Sequence, residues 1–128
     1  MDKSIRILIV DDFYTMRRII TNLLEDLGYR NTEVAGDGET ALARLRSEDF
    51  DFLITDWNMP GMDGIELLRA VRADPALESL PVLMMTAEAE REQLDEATRA
   101  GVNAYVIKPF TAATLEDRIR VIFTPVRS

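Results

Sequence analysis

Five times along this chain a short, nearly unbroken apolar run is followed by an amphipathic stretch, and this alternation restricts the fold more than any other feature. The runs have strand length: Ile5–Val10, Thr32–Ala35, Phe50–Thr55, Val82–Thr86 and Ala104–Ile107. A β-branched segment with no polar alternation suits a strand covered on both faces rather than one with a wet side. Between the runs, apolar residues recur at helical spacing. Met16, Ile19, Ile20, Leu23, Leu24 and Leu27 form one core-facing stripe, and Gly28 is placed to end that helix. Asp37-Gly38 turns into a second helix with Ala41, Leu42 and Leu45. Ile65, Leu67, Leu68 and Val71 mark a third, after a loop in which Met59-Pro60-Gly61 is read as turn geometry only. Glu90–Ala100 is a fourth, closed by Gly101. Thr111 is the expected N-cap of a fifth, with Leu115, Ile119, Ile122 and Phe123 facing inward, and the tail Thr124–Ser128 is expected to fray. Strict alternation with right-handed crossovers predicts an α/β fold: a doubly wound parallel sheet with helices on both faces. At 128 residues the expectation is one domain over residues 1–128.

Composition removes whole classes of chemistry. The absence of cysteine rules out disulfides, thiolate metal sites and cysteine nucleophiles. The absence of histidine rules out Ser-His-Asp triads and imidazole ligands. A formal charge of −8, from 23 acids against 15 bases, argues against nucleic acid or an anionic membrane as partner. No apolar run approaches the roughly 20 residues of a membrane span. Met1-Asp2-Lys3-Ser4 lacks the regions of a secretory signal, so a cytoplasmic location is expected.

The polar residues that follow the strands carry the functional argument. Asp11-Asp12 follows the first strand, Asp56 the third and Lys108-Pro109 the fifth, while Thr86 ends the fourth. In a parallel sheet these points share the carboxyl edge, where open α/β folds place their sites. Each has an ordinary reading alone: a helix cap for Asp11, Asp12 or Thr86, a turn for Asp56, a solvated amine for Lys108. Their convergence favours a site. Clustered carboxylates repel, and an all-oxygen donor set suits Mg²⁺, with Mn²⁺ as the alternative. Such a dication beside a carboxylate nucleophile fits phosphoryl transfer, and Asp56, on what should be a central strand, is the best acceptor.

The same residues resemble the receiver domain of bacterial two-component response regulators, over essentially the whole chain. Val10-Asp11-Asp12-Phe13, Thr15-Met16-Arg17-Arg18, Asp56-Trp57-Asn58-Met59-Pro60, Met62-Asp63-Gly64, Thr86-Ala87-Glu88-Ala89 and Lys108-Pro109-Phe110-Thr111-Ala112-Ala113-Thr114-Leu115 draw it closest to the stand-alone chemotaxis regulators. The resemblance implies a flavodoxin-like sheet of order 2-1-3-4-5 and a cis Lys108–Pro109 bond. It implies that Asp56 accepts a phosphoryl group from a chemotaxis histidine kinase. Asp12, Asp56 and the Asn58 carbonyl would bind Mg²⁺, with Asp11 acting largely through water. Thr86 and Lys108 would move onto phosphoryl oxygens, and Tyr105 would turn inward. The face of helix 4, strand 5 and helix 5, with Ala89, Arg91, Leu94, Tyr105, Ile107, Thr111 and Arg118, would then bind the flagellar motor switch protein. Asn58 and Glu88 would tune the lifetime of the adduct, and a phosphatase is a further partner. Trp57, read as a rim aromatic, would report metal and phosphate binding. The protein implied is a monomeric switch with self-phosphorylation and autodephosphorylation activity, not a turnover enzyme. An acidic fourth helix, with Glu90 and Asp95-Glu96, departs from the chemotaxis pattern at the partner face.

Three alternatives stay open at this point. One is a single-domain receiver in another phosphorelay. Another is a Mg²⁺-dependent phosphatase working through an aspartyl-phosphate, which would usually carry an acid where Asn58 stands. A flavin binder of the flavodoxin type would find Asp11-Asp12 where its phosphate-binding loop belongs.

Overall fold

The computed structural model describes residues 2–88 and 90–124, so Ala89 and the expected frayed end over 125–128 lie outside the described residues. The elements are β1 (Ile7–Val10), α1 (Tyr14–Asp26), β2 (Thr32–Ala35), α2 (Gly38–Ser47), β3 (Phe52–Asp56), α3 (Gly64–Ala73), β4 (Val82–Thr86), α4 (Arg91–Ala100), β5 (Ala104–Ile107) and α5 (Ala112–Phe123). The five strands form one parallel sheet in the order β2-β1-β3-β4-β5. This is the doubly wound, flavodoxin-like arrangement.

Every residue of β1, β3 and β4 is buried, which explains their unbroken apolarity. Successive side chains point to opposite faces and so feed two cores. Leu8, Val10, Leu53, Val82 and Met84 pack with residues of α2, α3 and α4. Ile7, Ile9, Phe52, Ile54, Leu83 and Met85 pack with Ile20 and Leu24 of α1 and with Leu115 and Ile119 of α5. Each such aliphatic or aromatic side chain contributes about 1.5–3 kcal/mol when fully buried. Phe123 closes the second core edge-on against Phe52, ring centroids 5.2 Å apart.

The helix ends follow local chemistry. Asp37 caps α2 by accepting the Thr40 N–H at 2.7 Å, and Asp63 and Glu66 form a reciprocal capping box on α3. Thr111 caps α5 as expected, accepting the Thr114 N–H at 3.2 Å. Gly28 and Gly101, with φ of 98° and 96°, supply the left-handed residues that end α1 and α4.

Three expectations shift. Regular pairing begins at Ile7 rather than Ile5, and β3 runs from Phe52 to Asp56 rather than from Phe50 to Thr55. The cause is local: the Asp51 carboxylate takes the Arg6 N–H at 2.8 Å, and Phe50 lies beneath the Arg6 guanidinium, 4.3 Å from its ring centroid. In α1, Ile20 and Leu24 centre the buried stripe and leave Ile19, about 100° round the helix from Ile20, 44% exposed. Among the described residues no helix is long and apolar enough to cross a membrane.

Candidate functional site

Register places the acids together. Val10 pairs with Thr55, so the next residues, Asp11 and Asp56, stand side by side at the carboxyl edge. Asp11 and Asp56 are buried, and Asp12 is partly so. One carboxylate oxygen from each of the three lies within 4.8 Å of the others. Lys108 follows β5 and reaches back past β4. Its Nζ lies 2.9 Å from Asp11 Oδ2 and 3.0 Å from Asp56 Oδ1. Asp11 Oδ1 accepts the Phe13 N–H at 2.9 Å, and Asp56 Oδ1 accepts the Trp57 N–H at 3.0 Å. Neither Asp11 nor Asp12 is the N-cap of α1. That position is Phe13, which makes no side-chain cap.

Three carboxylates and one ammonium leave excess negative charge in a confined space. Burial pushes the Asp56 carboxyl above its ordinary value and the nearby Asp11 charge adds to this, while Lys108 and the Trp57 N–H oppose it. For Lys108, burial alone would favour the neutral amine. Hydrogen bonds and charge from Asp11 and Asp56 outweigh it, so the value rises and the residue stays an ammonium. Asp12 Oδ1 is buried with no hydrogen-bond partner. An orphaned carboxylate oxygen beside two further carboxylates, with only oxygen donors present, fits a hard dication such as Mg²⁺ or Mn²⁺.

Thr86 is buried at the end of β4. Its hydroxyl donates to the Glu88 carbonyl at 2.8 Å and accepts the Glu88 N–H at 3.3 Å, so it is tied into its own loop and does not cap α4. Asn58 and Glu88 are exposed in the loops that follow β3 and β4. The Lys108–Pro109 bond is cis. Tyr105 is half-buried against the core beneath α4, and its carbonyl accepts from Arg118 Nε at 2.9 Å. Ile107 is 43% exposed. Arg91 and Thr111 are exposed, and Leu94 and Arg118 half-buried. These residues lie along α4, β5 and the start and middle of α5, consecutive elements at one side of the molecule, while Ala89 falls outside the described residues.

Two residues differ from their sequence reading, and two others carry no legible signal. Trp57 is 7% exposed and belongs to the core beneath α3, not to the rim. Met59 joins the same core, so it anchors its loop rather than merely shaping it. Gly64 opens α3 where a Cβ would meet the Asp56 carbonyl and lie 2.8 Å from Met84 Sδ and 2.9 Å from Trp57 Cα. Arg17 donates from Nη1 to the Asp11 carbonyl at 2.7 Å. Gly64 and Arg17 sit inside the stretches that carry the family resemblance, but only tertiary geometry shows what they touch.

The family described as response regulator receiver domain matches residues 7–120. The chain is 63% identical over 123 residues to the chemotaxis protein CheY-3 of Vibrio cholerae, covering 96% of this chain and 95% of that protein. It is 67% identical over 121 residues to the chemotaxis protein CheY of Pseudomonas aeruginosa, covering 94% and 98%. A solved receiver domain from a sensor histidine kinase of Pseudomonas aeruginosa, with a magnesium ion coordinated in its active site cleft, superposes with a TM-score of 0.82 at 30% identity, over 93% of this chain and 98% of that one.

Proposed function

This chain belongs to the response regulator receiver-domain family, and we propose that it is a chemotaxis switch that accepts a phosphoryl group on Asp56. The observation that carries the proposal is the orphaned Asp12 Oδ1 within a carboxylate triad whose acceptor, Asp56, is already bound by Lys108. Asp56 Oδ1 holds both the Lys108 and Trp57 contacts, which leaves Oδ2 for attack. The new bond joins Oδ2 to phosphorus. The phosphorus–nitrogen bond of a phosphohistidine donor breaks, and its electron pair leaves with the imidazole, which takes up a proton.

Asp11, Asp12, Asp56 and the Asn58 carbonyl would hold Mg²⁺. When bound, the ion supplies positive charge that screens the carboxylates and the transferring oxygens. Lys108 stays an ammonium throughout and turns from the acceptor to a phosphoryl oxygen. The Thr86 hydroxyl exchanges the Glu88 carbonyl for a second phosphoryl oxygen, a charge-assisted bond stronger than the neutral one it replaces. That exchange draws in the loop ahead of α4 and makes room for Tyr105. The surface of Arg91, Leu94, Tyr105, Ile107, Thr111 and Arg118 changes and binds the flagellar motor switch protein. Asn58 and Glu88, at the mouth of the site, control how water reaches the adduct. We read residues 1–128 as one monomeric, cytoplasmic receiver domain. A phosphatase reading is disfavoured because Asn58, two residues beyond Asp56, cannot exchange a proton as a carboxyl does.

Incubation with acetyl phosphate and Mg²⁺, followed by intact-mass measurement, tests the proposal. One phosphoryl adduct is expected, absent from Asp56→Asn and from protein held in EDTA. An unmodified parent protein, or rapid turnover of assorted phosphomonoesters, would overturn it. Lys108→Ala should still bind Mg²⁺ but lose the phosphorylation-dependent gain in affinity for a motor-switch peptide.

A further inference from the structure

The acids of the site are held from one side by Lys108, but the backbone between Asp11 and Asp12 has a second support, outside the acid–lysine cluster. Arg17 projects from the start of α1, and its Nη1 donates to the Asp11 carbonyl at 2.7 Å. The same guanidinium lies against the loop that leaves β2. A Cβ on Gly36 would stand 3.3 Å from Arg17 Nη1 and 3.9 Å from Cζ. The Asp11 N–H is itself bonded to the Ala35 carbonyl at 3.2 Å, one residue before Gly36. Asp11 is therefore fixed through its amide by β2, through its carbonyl by Arg17, and through its side chain by Lys108 and the Phe13 N–H. That carbonyl belongs to the peptide plane whose nitrogen is Asp12. Asp12 Oδ1 has no partner, so the orientation of Asp12 depends on its backbone.

We propose that Arg17 is a positioning residue for cation binding: it locks the Asp11–Asp12 peptide so that the Asp12 carboxylate is presented to the dication without reorganisation. The inference rests on the phosphoacceptor reading above, because it assumes that Asp12 is a ligand. Groups that orient a ligand without touching the ion typically change metal affinity by about 10- to 100-fold when removed. A neighbouring ammonium on the same stem keeps a donor but not the planar fork that fills the space beside Gly36.

The test is Mg²⁺ titration calorimetry on Arg17→Ala, Arg17→Lys and Gly36→Ala, with Leu24→Ala as a variant that weakens the same helix far from the acids. Arg17→Ala should bind Mg²⁺ about 10- to 100-fold more weakly, and Arg17→Lys should recover part of the loss. Leu24→Ala should lower the unfolding midpoint and leave the Mg²⁺ dissociation constant unchanged. Gly36→Ala crowds the guanidinium, so it should weaken Mg²⁺ binding in the parent and have no further effect in Arg17→Ala. Unchanged affinity in Arg17→Ala, or a loss in Leu24→Ala as large as that in Arg17→Ala, would overturn the proposal. A metal-free readout separates this failure from that of the parent reading. Hydrogen exchange at the Phe13 amide, which bonds to Asp11 Oδ1, should accelerate in Arg17→Ala in EDTA. If the parent protein binds no Mg²⁺, the cation reading fails, and the exchange rate still decides whether Arg17 orders the loop.

Discussion

Removing the charge of Asp12 should make the metal-free protein more stable, although it deletes a residue of the site. Asp12 Oδ1 forms no hydrogen bond, so Asp12→Asn gives up no polar contact at that atom. What it removes is repulsion. Two unit charges at the 4.8 Å limit of the cluster repel by about 0.9 kcal/mol in water and about 3.5 kcal/mol at an effective dielectric near 20. Asp12 faces two such neighbours, Asp11 and Asp56, and the single ammonium of Lys108 offsets part of their charge. The partial exposure of Asp12 places it between the two dielectric limits, and the net relief is about 1–3 kcal/mol.

Urea unfolding at neutral pH in EDTA reads this directly. With slopes of about 1–3 kcal/mol per molar for small proteins, the midpoint of Asp12→Asn should rise by about 0.3 M or more at unchanged slope. Added salt should narrow the gap by screening the repulsion. Mg²⁺ at about 100 times its dissociation constant should stabilise the parent by about 2.7 kcal/mol and the variant far less. The variant's lead should therefore shrink by up to about 2.7 kcal/mol between the two buffers, and the order of stability reverses wherever the relief is smaller than that. A variant equal to or less stable than the parent in EDTA would refute the reasoning, since it would mean that Asp12 makes a favourable interaction outweighing the repulsion.

How far the site could be read from the chain follows from what fixes each residue. The placing of Asp11, Asp12, Asp56 and Lys108 together, and of Thr86 at the end of β4, is legible because parallel topology alone sends every strand end to one edge, so a residue's distance from the end of its apolar run locates it. The same logic gives the sheet class, and its limit shows at Ile5 and Phe50. Both are apolar, but the Arg6–Asp51 contact makes them the approach to the strands rather than part of them. Ile19 falls outside the buried strip because helical spacing defines a stripe but not how wide a strip the sheet and α5 can cover. Trp57 and Met59 look like rim and loop residues in the sequence because their neighbours are turn residues, and only the packing of α3 back onto β3 turns them inward. Arg17 and Gly64 touch backbone, and a contact to a carbonyl leaves no trace in residue type at the other end.

The remaining expectations concern the acceptor strand and the acid limb of stability. Gly64→Ala drives a methyl group towards the Asp56 carbonyl and Met84 Sδ, so it should destabilise by about 1–3 kcal/mol through overpacking. It should also slow phosphorylation by acetyl phosphate, and a normal rate at a normal midpoint would show that α3 yields freely. Glu48 bonds to Arg44 at 2.8 Å and to Arg6 at 2.6 Å, and these bonds hold its carboxyl down at about 2. Because the folded value lies below the ordinary one near 4.5, the unfolded chain takes up the proton first. The stabilisation is complete above that ordinary value and is lost as pH falls towards 2. Asp56 acts in the opposite sense: its folded value is raised by burial, so it favours the folded state as pH drops through that value. Glu48→Gln isolates the first effect. Urea midpoints taken between pH 6 and pH 2 should show the variant below the parent at pH 6 and the two converging towards pH 2. Parallel curves across that range would mean that the Arg6–Glu48–Arg44 cluster contributes nothing that protonation can remove.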